Sequence, residues 1–140
     1  MAMNNKMMEN RKEIVQVITD KHEIEKNYYT NVAQAHGLIH LDMNDFYGFA
    51  NKRKLAMEVI VDSPASVSEQ TKTAVAEVKK HGIKTIAAII LSVSYNSLLP
   101  LTIEELNSVR DCFDCNEIKR GVQENDNILN DRSISLFVFE

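Results

Sequence analysis

Two carboxylates three residues apart, Asp42 and Asp45, lie beside His40 in the stretch GLIHLDMND, Gly37 to Asp45. An imidazole and two carboxylates at that spacing can activate a water molecule or hold a cation. The same residues have a purely structural use. An aspartate ahead of a helix accepts hydrogen bonds from unpaired amides of its first turn. Asp45, or Asn44, therefore reads equally as the N-cap of FYGFANK, with Asp42 bonding local amides of the turn. His40 by itself reads more simply as a surface histidine than as a ligand.

The second group with chemical potential is CFDC, Cys112 and Cys115. Such a pair can be a redox centre or half of a zinc site. Zinc requires two further ligands, and His22, His36, His40 and His81 have no partner spacing. A redox pair belongs at a helix N-terminus, where the dipole lowers the thiol pKa, whereas this one falls at the end of an expected helix. Two reduced, structural cysteines are the simpler reading, and neither metal nor cofactor is expected.

The 140 residues carry a formal charge of −4 and are 44% hydrophobic and 26% charged, the composition of an ordinary globular domain. A net negative chain lacks the basic footprint that supplies most nucleic-acid affinity. No apolar run approaches the ~18 residues of a membrane span, and the Met- and Asn-rich start has no apolar signal-peptide core. These features suggest a cytoplasmic chain with neither membrane nor nucleic acid as partner.

The elements that must position the acidic turn follow from periodicity. Ile14, Val17, Ile18, Ile24, Tyr28, Val32 and Ala35 recur at mostly three- and four-residue steps, which predicts an N-terminal helical segment over residues 1–36 with Gly37 as its stop. LAMEVIVD reads as a strand. Ser66 and Glu69 then form a capping-box pattern, followed by an apolar stripe of Val67, Thr71, Ala74, Val75 and Val78, with Gly82 as a left-handed cap. KTIAAIILSVSY reads as a central strand. Thr102 and Glu105 open a second helix with Ile103, Leu106, Val109 and Phe113 inward. NEIKRGVQEN alternates as a half-solvated strand, NDNILNDR is turn chemistry, and SISLFVFE is a last strand. The expectation is an α/β two-layer sandwich in residues 37–140. It has a four-stranded mixed sheet in the order β-α-β-α-β-β, both helices on one face and the last strand pairing through the turn.

Three passages in that order resemble the second, C-terminal domain of the FtsZ branch of the tubulin superfamily. GLIHLDMNDF is similar to the family's synergy loop, GLINVDFADV. LTIEELN resembles its acidic helix start, DLTLxExN. IKRGVQENDNILNDRSISLFVF resembles its final strand pair, IxxGxxxDxxLxxxIxVxxI. The likeness runs from Gly37 onward. The family's GGGTGTG phosphate loop has no counterpart, since Gly37, Gly48, Gly82 and Gly121 are all isolated. His40 replaces the family's asparagine, and the glycine- and methionine-rich stretch after the loop is reduced to GFANKRK.

The resemblance implies a role for the acidic turn. In such polymers the synergy loop enters the nucleotide site of a neighbouring subunit, and its acidic residues help position the attacking water. Asp42 and Asp45 match those positions and would act only in trans, with His40, Leu41, Asp42 and Asp45 forming the docking surface. The implied function is a non-enzymatic domain that associates with a tubulin- or FtsZ-like GTPase, or with itself, and modulates polymer assembly in cell division. Two rivals stand beside it. One is a part of an FtsZ-like GTPase whose nucleotide domain is missing or on another chain. The other is a small α/β module that senses a ligand on the open, partly polar face of its sheet.

Overall fold

The computed structural model describes residues 12–140. Its strands are β1 (Ile14–Ile18), β2 (Leu55–Ser63), β3 (Ala88–Tyr95), β4 (Glu117–Glu124) and β5 (Arg132–Phe139), joined in one sheet of order β1-β2-β5-β3-β4. The helices are α1 (Lys21–Tyr28), extended by a π turn (Tyr29–Ala33), α2 (Met43–Ala50), α3 (Val67–Lys80) and the short α4 (Ile103–Asn107).

The first correction concerns the N-terminal segment. Its opening residues lie outside those described, but Ile14–Ile18 is a strand rather than a helix. It pairs antiparallel with β2, Ile14 opposite Asp62 and Ile18 opposite Glu58. Four of its five residues are β-branched, a composition that fits a strand, and the edge of β2 supplies the backbone partners that a helix would have found within itself. A helix begins only after Asp20, whose side chain accepts from the Glu23 amide at 2.9 Å.

The sheet has five strands, not four, and β5 is not the hairpin partner of β4. It lies between β2 and β3, antiparallel to both, while β3 and β4 pair in parallel. SISLFVF is apolar on both faces, and only an interior position buries both. The connecting turn passes over the end of β3, held by the Asn125 amide on the Tyr95 carbonyl (2.9 Å). Asp62 fixes its other end, accepting from the amides of Leu129 (2.8 Å) and Asn130 (3.1 Å).

Nor is the architecture two-layered. On one face Val67, Ala74 and Val78 of α3 pack on Val59, Val61, Leu91, Val93 and Leu136, as the sequence stripe requires. On the other face Ile24, Tyr28, Val32, Phe46 and Phe49, from α1, its π turn and α2, cover Leu55, Ala88, Ile90, Phe137 and Phe139. The sheet is sandwiched between two helical layers, and residues before Gly37 share its core. That removes the open sheet face on which a ligand-sensing module depended. Tyr28, Phe46 and Phe137 make edge-on or tilted contacts with centroids 4.9–6.4 Å apart, each such pair contributing about 1 kcal/mol beyond its buried area.

The second expected helix is a single turn followed by a 3₁₀ turn (Arg110–Cys112). Val109 is buried and Phe113 packs on the core, but Ile103 is exposed. Thr102 does cap the turn, accepting from the Glu105 amide at 3.1 Å. The Glu105 carboxylate completes no capping box, because it is engaged by Arg132 at 2.9 and 3.2 Å.

Candidate functional site

The acidic turn is reached by an irregular strap that runs along one edge of the sheet. His36 accepts from the Glu124 amide, and Ile39 forms an antiparallel bridge with Val122 on the outer edge of β4. Gly37 is required here for proximity rather than as a helix stop. A Cβ at this position would stand 1.9 Å from the Val122 carbonyl oxygen. Gly121 plays the matching part on the strand, since a Cβ there would meet Leu41 Cδ1 at 2.5 Å.

Past Leu41 the chain turns into α2, and here the two carboxylates meet. Asp42, not Asp45 or Asn44, is the N-cap: its Oδ1 accepts from the Asp45 amide at 3.1 Å. Asp45 returns the interaction, its Oδ2 accepting from the Asp42 amide at 2.9 Å. This reciprocal box satisfies two amides that the helix leaves unpaired. Asp45 Oδ1 accepts from Lys119 Nζ at 3.2 Å, and the same ammonium stands 4.9 Å from the centre of the Phe49 ring. The backbone and Lys119 bonds hold the Asp45 carboxyl below its ordinary pKa, although partial burial opposes them as the largest single influence.

The consequence is a division of labour between the carboxylates. Both oxygens of Asp45 are engaged. Asp42 is exposed, and its Oδ2 has no hydrogen-bond partner among the described residues. Beneath them Tyr28 is buried and donates its hydroxyl to the Asp42 carbonyl at 2.8 Å. Burial raises the Tyr28 pKa far above its usual value, and the nearby Asp45 and Asp42 charges push in the same direction, so it remains a donor.

Of the four residues expected to dock a partner, the structure places His40 and Asp42 at the surface and Asp45 half-buried. Leu41 is 5% exposed and serves the core instead. Leu38, which sequence reasoning passed over, is 73% exposed, with Ile39 beside it at 41%. Lys119 and Tyr28 were also missed. The alternation of NEIKRGVQEN held a signal for Lys119, but that face of β4 is partly covered by neighbouring elements, increasingly so from Glu117 to Gln123. Glu117 pairs with Arg53, Lys119 with Asp45, Gly121 receives Leu41, and Gln123 Nε2 donates to the Asn31 carbonyl at 2.8 Å.

The cysteines show no sign of an activated pair. Both thiols are free and partly buried, and burial raises both pKa values, the opposite of what a nucleophilic thiolate needs. Among the described residues no three His, Cys, Asp or Glu side chains cluster to hold a metal ion. Within the same range no helix is long and apolar enough to cross a membrane.

Comparison with known proteins places this geometry in a fold. No family model and no curated protein matches the chain. Among solved structures, an empty FtsZ dimer from M. jannaschii is similar with a TM-score of 0.58 and 20% identity, over 75% of this chain and 32% of that one. A tryptophan-to-tyrosine mutant of FtsZ from M. jannaschii is similar with a TM-score of 0.57 and 23% identity, over 84% of this chain and 38% of that one. The chain thus has an FtsZ-like α/β fold and spans about a third of the FtsZ chains it matches, an extent consistent with a C-terminal domain.

Proposed function

We propose that this chain is a non-catalytic docking domain for a tubulin- or FtsZ-like GTPase, modulating assembly of its polymers. The observation that carries the reading is the state of Asp42. It is an exposed carboxylate with one uncommitted oxygen, fixed at the start of α2 by Asp45, Tyr28 and the strap along β4. Positioning an attacking water needs one carboxylate at a defined place, and rigid attachment supplies that place. Exposed Leu38 and Ile39 beside it give apolar area for docking. The described residues offer no phosphate cradle: no glycines are close in sequence, and the turn presents carboxylates that repel a triphosphate.

A second reading draws on the coverage. Because the chain matches only 32–38% of FtsZ, it also fits as the partner-facing part of a larger GTPase whose nucleotide domain lies elsewhere. The acidic turn then does the same work on the next subunit. Co-sedimentation of the chain with assembled FtsZ-type filaments, with and without GTP, tests the proposal. Nucleotide-dependent pelleting supports docking at the nucleotide end, whereas no pelleting in either condition removes it. Saturable GTP binding by the isolated chain at micromolar concentration, measured by calorimetry, would move the assignment to the enzyme reading.

A further inference from the structure

The opposite edge of the sheet from the acidic strap is β1, whose sequence, Ile14-Val15-Gln16-Val17-Ile18, reads the same in both directions. A palindromic strand has a particular consequence. If two copies pair antiparallel about a twofold axis through Gln16, each residue meets its own kind. Ile14 faces Ile18 of the second copy, Val15 faces Val17, and Gln16 faces Gln16. That is the self-complementarity an isologous interface demands. Just outside the strand, the same register sets Lys12 opposite Asp20 of the second copy, twice by symmetry, so the flanking charges attract.

The strand suits such pairing. It carries no proline, glycine, bulge or charge, the devices that commonly block edge-to-edge addition. Among the described residues it pairs only with β2, leaving every second residue's N–H and C=O directed away from the sheet. Ile14 and Val15 are 39% and 38% exposed, area that a second strand alongside would cover. Gln16 is exposed, and across the axis its amide can both donate to and accept from its twin.

From these observations we propose that the chain dimerises through β1, joining two five-stranded sheets into one of ten. This surface is independent of the docking reading. Because β1 and β4 are opposite edges, the dimer leaves both acidic straps free and pointing outward, so a docking domain would become a bivalent one.

Sedimentation equilibrium of the whole chain tests the proposal, together with two substitutions at exposed Gln16, where the monomer fold has little at stake. The wild-type mass should double at high micromolar concentration and return to the monomer on dilution. Gln16→Lys sets two like charges face to face at the axis and should remain monomeric with an unchanged circular dichroism spectrum. In a Cys112→Ser, Cys115→Ser background, Gln16→Cys should crosslink to its twin on oxidation. Ile14→Cys, displaced from the axis, should not. A monomer at every concentration overturns the proposal, including the case in which residues 1–11 of the same chain cover the edge. A dimer indifferent to Gln16→Lys, or equal crosslinking of both cysteine variants, also overturns it.

Discussion

Lys119 Nζ stands 3.2 Å from Asp45 Oδ1, linking β4 to the first turn of α2 across 74 residues of sequence. The pair neutralises one of the two carboxylates in the acidic turn and leaves the other, Asp42, as its exposed charge. Both partners are about one third exposed, so the pair contributes at most about 1 kcal/mol. Lys119→Met keeps an apolar stem and removes the ammonium from both Asp45 and the Phe49 ring. It should lower stability by up to about 1 kcal/mol at low salt and by less at high salt, read from urea midpoints.

The capping box makes alanine the wrong probe of either aspartate. Asp42→Ala should cost about 1 kcal/mol by uncapping α2, and Asp42→Asn, which retains a capping oxygen, a few tenths at most. Thermal melts of the two variants check this. Equal losses would mean that the charge, rather than the cap, stabilises the turn.

Two glycines should respond in opposite senses. Gly37→Ala drives a methyl into the Val122 carbonyl and the Gln123 backbone, so the strap must lift from β4 at a cost of about 2 kcal/mol or more. Gly48 sits inside α2, and a Cβ there meets only the Lys119 ammonium at 3.5 Å. Gly48→Ala should therefore stabilise the chain by up to about 1 kcal/mol. Urea titration of both variants tests the contrast.

A buried carboxyl predicts a pH dependence. Glu58 on β2 is 1% exposed, and among the described residues its carboxyl has one hydrogen-bond partner, Asn27 Nδ2 at 3.0 Å. Burial pushes its pKa up to about 7; the Asn27 bond opposes the shift and the Glu23 charge adds to it. The folded state thus holds the proton more tightly than the unfolded chain, whose glutamate has its ordinary value near ~4.3. The stability from protonated Glu58 is fully present below that value and is lost as pH rises through about 7. The loss is on the order of 3 kcal/mol. Glu58→Gln should match wild type near pH 4 and exceed it near pH 8. Parallel pH profiles of the two proteins would contradict this.

How much of this was legible in the sequence depends on how local each signal is. Helix α3 was readable because its cap, stripe and stop lie within one stretch: Ser66 accepts from the Glu69 amide and Gly82 takes a φ of 82°. The start of a helix near Asp45 was also readable, but its cap falls on Asp42 and the strap's bridge from Ile39 to Val122 has no local signal, since its partner strand lies far along the chain. The strand β1 was not, because Ile14, Val17 and Ile18 satisfy a helical period and a strand equally, and the choice is made by β2, forty residues away. The second helical layer was hidden for the same reason. Nothing local says that Phe46 and Phe49 will meet Phe137 and Phe139. Lys119 looked solvated because its partner comes from a different layer.

The most direct test of the central claim is the GTPase rate of an FtsZ-type partner with the wild-type chain or with Asp42→Asn, compared at matched occupancy. The substitution keeps the cap and the docking surface and removes only the exposed charge. The account expects wild type to raise the rate and Asp42→Asn to bind comparably while leaving the rate at its basal value. Equal rates with the two chains would contradict it, reducing Asp42 to the cap of α2.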